Sequence, residues 1–178
     1  MKVCLYGAGS RKIDEKYLKE GYRLGQSLSL KGHTLVFGAG SHGMMGAVSQ
    51  AFKDNNAPIL GISTVFMDEF EKVCQYCDKL ILAETMDERK VLFVENSDCF
   101  IVSPGGIGTL DELFEILTLK RLERVDKPVI IFNIDGFYNS LIQLIKDMKN
   151  EGFVYENIEN LFFVSSSVDE IVEYLDKF

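Results

Sequence analysis

Seven short apolar runs alternate with six longer segments whose apolar residues recur at helical spacing, and this alternation limits the fold of the 178-residue chain more than any other feature. The short runs are Val3–Tyr6, Thr34–Phe37, Ile59–Ile62, Lys79–Leu82, Cys99–Val102, Val129–Phe132 and Phe162–Val164. Several are apolar without a polar alternate, as strands covered on both faces are. The longer segments are Glu15–Leu30, Gly43–Asn55, Glu88–Asn96, Thr109–Glu123, Tyr138–Asn150 and Val168–Asp176. Strand–helix alternation implies right-handed crossovers. The expected fold is therefore α/β and Rossmann-like: a doubly wound, mostly parallel sheet of about seven strands with helices on both faces. No linker-like shift in composition, internal repeat or low-complexity tract interrupts the pattern, so one nucleotide-binding domain is expected over 1–178. Ligands of such sheets bind at the carboxyl ends of the strands, where the strand order switches.

Three of the strands run into glycine-rich turns: Gly7-Ala8-Gly9-Ser10, Gly38-Ala39-Gly40-Ser41-His42-Gly43 and Pro104-Gly105-Gly106-Ile107-Gly108-Thr109. All three fall on the same edge of the expected sheet. Glycines let backbone N–H groups approach a phosphate, and the following helix N-terminus adds partial positive charge. Glycine also serves turns for conformational reasons alone, so one such turn says little and three on one edge say more. The second turn has the G-x-G-x-x-G spacing of dinucleotide sites, but the next strand leaves through Gly61-Ile62-Ser63-Thr64 without the acidic residue that would hold ribose hydroxyls. An NAD-dependent oxidoreductase stays as a minor alternative.

Thr109 and Glu112 admit two readings. In one they form a capping box, with Thr109 capping the helix and Glu112 reaching back to the cap residue's N–H. In the other the Glu112 carboxylate faces a ligand held by the turn. Met86-Asp87-Glu88-Arg89-Lys90 begins another helix, where cations oppose the helix dipole unless an anion is nearby. Arginine suits a bidentate grip on phosphate or carboxylate. His42 follows the second turn and is either a ligand contact or polar surface, while Tyr6, Tyr17 and Phe37 read as packing residues.

A formal net charge of −8 argues against nucleic-acid or membrane-surface partners, which are themselves anionic. No run is long and apolar enough to span a bilayer, and the start of the chain lacks a secretory signal pattern, so a cytoplasmic protein is expected. Cys74-Gln75-Tyr76-Cys77 is one CxxC without a second ligand pair, and a metal is not expected there or elsewhere.

The segments Glu88-Arg89-Lys90 and Pro104-Gly105-Gly106-Ile107-Gly108-Thr109-Leu110-Asp111-Glu112 resemble the E-R-K and P-G-G-x-G-T-x-x-E motifs of the LOG ("lonely guy") family. Its members are cytokinin riboside 5′-monophosphate phosphoribohydrolases, under an older label possible lysine decarboxylases. The resemblance extends through Gly43-Met44-Met45-Gly46, Lys127-Pro128, Asn133-Ile134-Asp135-Gly136-Phe137-Tyr138 and Glu151-Gly152-Phe153. The chain departs from the family pattern at Asp87 in place of histidine and at Ala39 in place of the middle glycine of G-G-G. It departs also at Gly7-Ala8-Gly9-Ser10 for G-S-S, at Thr118-Leu119-Lys120-Arg121 for T-W-x-Q, and at Ser63-Thr64, where a proline is missing.

The resemblance implies hydrolysis of the N-glycosidic bond of an adenosine 5′-monophosphate, N6-modified or not, by a homodimer. Arg89 and Glu112 would be the catalytic residues. Gly7, Ser10, Gly40, Gly43, Met86, Lys90, Gly105, Gly106, Gly108 and Thr109 would bind the substrate and its phosphate, with no cofactor. Lysine decarboxylation is not expected, because nothing marks out a pyridoxal phosphate site. A non-catalytic nucleotide or cofactor carrier of the same fold is the second reading, since a carrier needs the glycine cradle but neither the carboxylate nor the arginine.

Overall fold

The computed structural model describes residues 1–67, 73–154 and 158–178. Among them the sheet has seven strands: β1 (Lys2–Tyr6), β2 (Thr34–Phe37), β3 (Ile59–Thr64), β4 (Lys79–Ala83), β5 (Cys99–Val102), β6 (Val129–Phe132) and β7 (Phe163–Ser165). Their order is β4-β3-β2-β1-β5-β6-β7, and every pairing is parallel. Chain order therefore runs outward to one side as far as β4 and restarts on the other side at β5. The switch lies between β1 and β5, where Tyr6 pairs with Val102.

Among the described residues six α-helices cover the sheet: α1 (Glu15–Leu30), α2 (Gly43–Asp54), α3 (Met86–Glu95), α4 (Ile107–Arg121), α5 (Asn139–Asn150) and α6 (Val168–Leu175). Successive strand residues point to opposite faces, and the core divides accordingly. Val3, Leu5, Leu35 and Phe37 pack under Leu24 and Leu28 of α1, Met44, Val48 and Phe52 of α2, and Ile171 and Leu175 of α6. Cys4, Tyr6, Val36, Phe100 and Val102 pack under Phe93 of α3, Leu113, Ile116 and Leu117 of α4, and Tyr138 beside α5. This is the doubly wound arrangement expected from the alternation of elements, and all seven strand runs and six helical segments form.

Local chemistry explains how the helices are held. At Gly25, a Cβ would lie 2.6 Å from the Val48 carbonyl oxygen, so glycine lets α1 and α2 pack backbone to backbone. The Thr-x-x-Glu cap, one of the two readings of Thr109 and Glu112, occurs instead at α3, with the glutamate reaching the residue before the cap. The Thr85 hydroxyl accepts from Glu88 N–H at 3.1 Å, and the Glu88 carboxylate accepts from Glu84 N–H at 2.8 Å. Helix α4 begins two residues earlier than Thr109, at Ile107, which moves the cap position to Gly106 and places Thr109 inside the first turn. Lys127 closes the other end of α3: its Nζ donates to the Val94 and Ser97 carbonyls at 2.7 and 2.6 Å. No helix among the described residues is long and apolar enough to cross a membrane.

Candidate active site

The three glycine turns emerge together at the carboxyl ends of β1, β2 and β5, around the strand-order switch. They are stitched to one another by backbone. Ala8 N–H donates to the Pro104 carbonyl at 3.1 Å, joining the first turn to the third. Ser103 sends both its N–H and its hydroxyl to the Tyr6 carbonyl, at 2.9 and 3.0 Å. Met45 N–H, in the first turn of α2, donates to the Ala8 carbonyl at 3.3 Å, joining the second turn to the first. Gly43 allows this approach. Its φ is +61°, and a Cβ there would sit 2.3 Å from the Ala8 oxygen.

These turns enclose a cleft of about 210 Å³ lined by Leu5, Tyr6, Gly7, Ala8, Gly9, Gly38, Met45, Met67, Arg89, Gly106, Gly108, Thr109 and Glu112. One wall is the start of α4, which has no side-chain cap. The first N–H groups of any helix have no acceptor within the helix, so the N–H groups of Gly106 to Thr109 offer a set of donors at the positive end of the helix dipole. A Cβ at Gly106 or Gly108 would meet nothing within 4 Å. Their missing side chains are open space beside those donors.

Arg89 enters from α3 and is buried. Its Nε donates to the Ile62 carbonyl at 3.1 Å and an Nη to the Gly38 carbonyl at 3.3 Å, while the guanidinium stands 5.2 Å from the Phe93 ring centroid. A guanidinium has five N–H donors, so these two bonds fix its plane at the cleft wall without exhausting it. They also resolve the awkward position of a cation near a helix start: Arg89 is bonded to a carbonyl of β3 and to one in the turn that follows β2.

Glu112 lies one turn into α4, three residues beyond Thr109 and four beyond Gly108, on the side of the helix that meets the cleft. It shares no ion pair with Arg89 among the described residues; the two act on each other across the gap. Burial pushes the Glu112 carboxyl up to about 7, with the charge of Arg89 opposing that rise. The arrangement pairs a carboxyl poised between its two protonation states with a fixed cation and a set of backbone donors. That combination can hold an anionic group, stabilise positive charge developing nearby and exchange a proton with water.

Of the expected site residues, the cleft brings together Gly7, Arg89, Gly106, Gly108, Thr109 and Glu112. The others stand behind it or face elsewhere. Gly43 supports the first turn, Gly40 bridges to Val73, and Gly105 packs against Thr109, whose hydroxyl would lie 2.1 Å from a Cβ there. The Ser10 hydroxyl accepts from Lys12 N–H at 3.2 Å, outside the cleft lining. Met86 is exposed at the start of α3. Lys90 is turned to α4, where it pairs with Glu115 at 2.7 Å and Asp111 at 3.4 Å. It sits one residue from Arg89, about 100° around the helix, and so cannot share its face.

His42 is also elsewhere. It lines a larger open groove of about 600 Å³ between α1 and α2, with Tyr22, Gln50 and Tyr76, and its Nδ1 lies 2.9 Å from the Ser41 hydroxyl. That groove holds neither Arg89 nor Glu112. Met45 and Met67 wall the cleft without having been singled out by sequence. The position of Met45 just after the second turn was the available signal. Cys74 and Cys77 are free thiols, and Cys74 N–H straps the second turn by donating to the Ala39 carbonyl at 2.7 Å.

Residues 45–175 match the family model described as "possible lysine decarboxylase". Two cytokinin riboside 5′-monophosphate phosphoribohydrolases of Arabidopsis thaliana, LOG4 and LOG5, are 33% and 34% identical over 99% of this chain, covering 82% and 78% of those proteins. Among solved structures, the molybdenum cofactor binding protein of Rippkaea orientalis superposes with a TM-score of 0.72 at 25% identity, over 99% of this chain and 94% of that one. The molybdenum cofactor carrier protein of Chlamydomonas reinhardtii superposes with a TM-score of 0.76 at 18% identity, over 99% and 96%, and shares the fold. The full-length similarity, the matching family model and the intact E-R-K and P-G-G-x-G-T-x-x-E segments together make this chain a member of the LOG family.

Proposed function

We propose that this protein is a nucleoside 5′-monophosphate phosphoribohydrolase, acting on adenosine 5′-monophosphate or an N6-modified form of it. One observation carries the reading: Glu112 and Arg89 face one cleft whose wall is the uncapped N-terminus of α4. In the proposed reaction the 5′-phosphate rests on the N–H groups of the third turn, and Arg89 complements the negative charge of the substrate. The C1′–N bond breaks with its electron pair leaving on the base, so positive charge develops on the ribose. The ionised Glu112 carboxylate stabilises that charge and takes a proton from the water that bonds to C1′. The base takes up a proton, and the products are free base and ribose 5-phosphate. Binding energy from the remote phosphate holds the sugar in register for reaction.

The test is product analysis with AMP and, separately, isopentenyladenosine 5′-monophosphate. Wild type is expected to release base and ribose 5-phosphate, and Glu112→Gln to bind nucleotide without releasing them. Cleavage of neither nucleotide would sink the hydrolase reading. The second reading, a carrier, is consistent with the structural likeness to a molybdenum cofactor binding protein. Nucleotide binding without turnover, unchanged by Glu112→Gln, would support it.

The protein is further proposed to act in the cytoplasm as a homodimer. The dimer is supported by apolar side chains left exposed on the α3–α4 side, among them Val91, Phe114 and Leu122. A monomeric mass by light scattering would remove the dimer.

A further inference from the structure

Tyr138 stands just before α5 and does not line the cleft, yet its hydroxyl reaches the third glycine turn. The side chain is buried, and the phenol donates to the Ser103 carbonyl at 2.7 Å. The Gly105 N–H faces the same phenol oxygen. Ser103 and Gly105 flank Pro104, whose own carbonyl accepts from Ala8. One hydroxyl therefore spans the root of the third turn.

The tyrosine is itself held from behind. Its backbone N–H donates to Asn133 Oδ1 at 2.7 Å, and Asn133 Nδ2 donates to Asn139 Oδ1 at 2.8 Å. Its ring meets Phe137 edge-on at 4.8 Å. Burial pushes the phenol's pKa upward, so it remains a neutral donor. The segment from Asn133 to Asn139 thus ties β6 and α5 to the end of β5.

A turn containing Gly105, Gly106 and Gly108 has the backbone freedom to lose its donor geometry, and an anion site made of N–H groups binds well only when they are already aimed. We infer that Tyr138 is a positioning residue for the phosphate-binding turn, its hydroxyl fixing the Ser103–Gly105 backbone so that the N–H groups at the start of α4 converge on the ligand's phosphate. This rests on the phosphate role proposed above.

Tyr138→Phe keeps the ring and its packing and removes only the hydroxyl, leaving the Ser103 carbonyl unpaired. By calorimetric titration, its affinity for AMP is expected to fall about tenfold, the scale of one buried hydrogen bond. Affinity for adenosine, which lacks the phosphate, is expected to be unchanged. In turnover, the loss should sit mainly in KM. An unchanged AMP affinity, or an equal loss for adenosine, would overturn the inference.

Circular dichroism and Tm accompany each titration. If Tyr138→Phe does not fold, Asn133→Ala takes its place, because it loosens the tyrosine while sparing the hydroxyl. A smaller but still AMP-selective loss is expected, and an equal loss on both ligands would overturn the inference. A wild type that binds AMP but does not cleave it would defeat the hydrolase alone, and the AMP-to-adenosine ratio would still decide the role of Tyr138. A wild type that binds neither AMP nor ribose 5-phosphate would defeat both.

Discussion

The second and third glycine turns look alike in sequence, since each leaves a parallel strand and opens a helix, yet they are used in opposite ways. At the second turn the protein occupies its own helix N-terminus. The Ala8 carbonyl sits where a Gly43 Cβ would be and accepts from Met45 N–H. At the third turn the start of α4 has no side-chain cap, and space lies open at Gly106 and Gly108. The same glycine-rich pattern therefore has two physical causes. One is close approach of backbone to backbone, and the other is room for a ligand beside unpaired donors.

Substitutions at the two turns should separate these causes. The largest effect is expected at Glu112, which acts over the open turn. Glu112→Gln should lower turnover of the nucleotide substrate by about 10²–10⁴-fold, the usual contribution of a general acid–base group, with affinity largely kept. A comparable loss of affinity in that variant would reduce Glu112 to a binding residue.

Next comes the filled turn. Gly43→Ala places a methyl against the Ala8 carbonyl in a left-handed conformation. Strain and overpacking together should cost about 2–4 kcal/mol and lower Tm visibly in a thermal melt. An unchanged Tm would mean that the second turn has slack the structure does not show.

The raised pKa of Glu112 gives a smaller effect with a definite sign. The folded protein holds this proton up to about pH 7, whereas an exposed glutamate releases it near 4.5. The folded state therefore binds more protons between those values, and stability falls as pH rises through that window. Glu112→Gln should then be more stable than wild type at pH 8 by about 1–2 kcal/mol, allowing for solvent in the cleft, with the gap closing near pH 4. Chemical denaturation at the two pH values measures it. A gap of the same size at both would assign the effect to something other than ionisation.

The smallest effect belongs to Gly108→Ala in the open turn. Nothing blocks the new methyl within 4 Å, and alanine favours helix. Stability should hold or rise by up to about 1 kcal/mol, while AMP affinity falls because the methyl takes ligand space. A destabilised Gly108→Ala would erase the contrast between the two turns.

The residues of the site were unequally legible. Arg89, Gly106, Gly108, Thr109 and Glu112 lie in two short motifs, and the chemistry that uses them depends on residue type and local spacing, which a sequence displays. Lys90 illustrates the limit. It adjoins Arg89 in the chain, but helical rotation directs it to Asp111 and Glu115 on α4. Thr109 and Glu112 have the spacing of a capping box, and so do Thr85 and Glu88. Only the start of α4 at Ile107 shows which pair caps.

By itself the sequence determined the order and kind of the elements, because alternating apolar runs and helical stripes are local patterns set by how each segment buries its face. It also determined that three glycine turns share one sheet edge, which follows from parallel strands. The tertiary structure alone decided which turn stays open and that Met45 and Met67 wall the cleft. It alone decided that Tyr138 reaches Ser103 across 35 positions of chain. Those facts depend on distances between segments remote in sequence, and such distances are fixed only when the two faces of the sheet are packed.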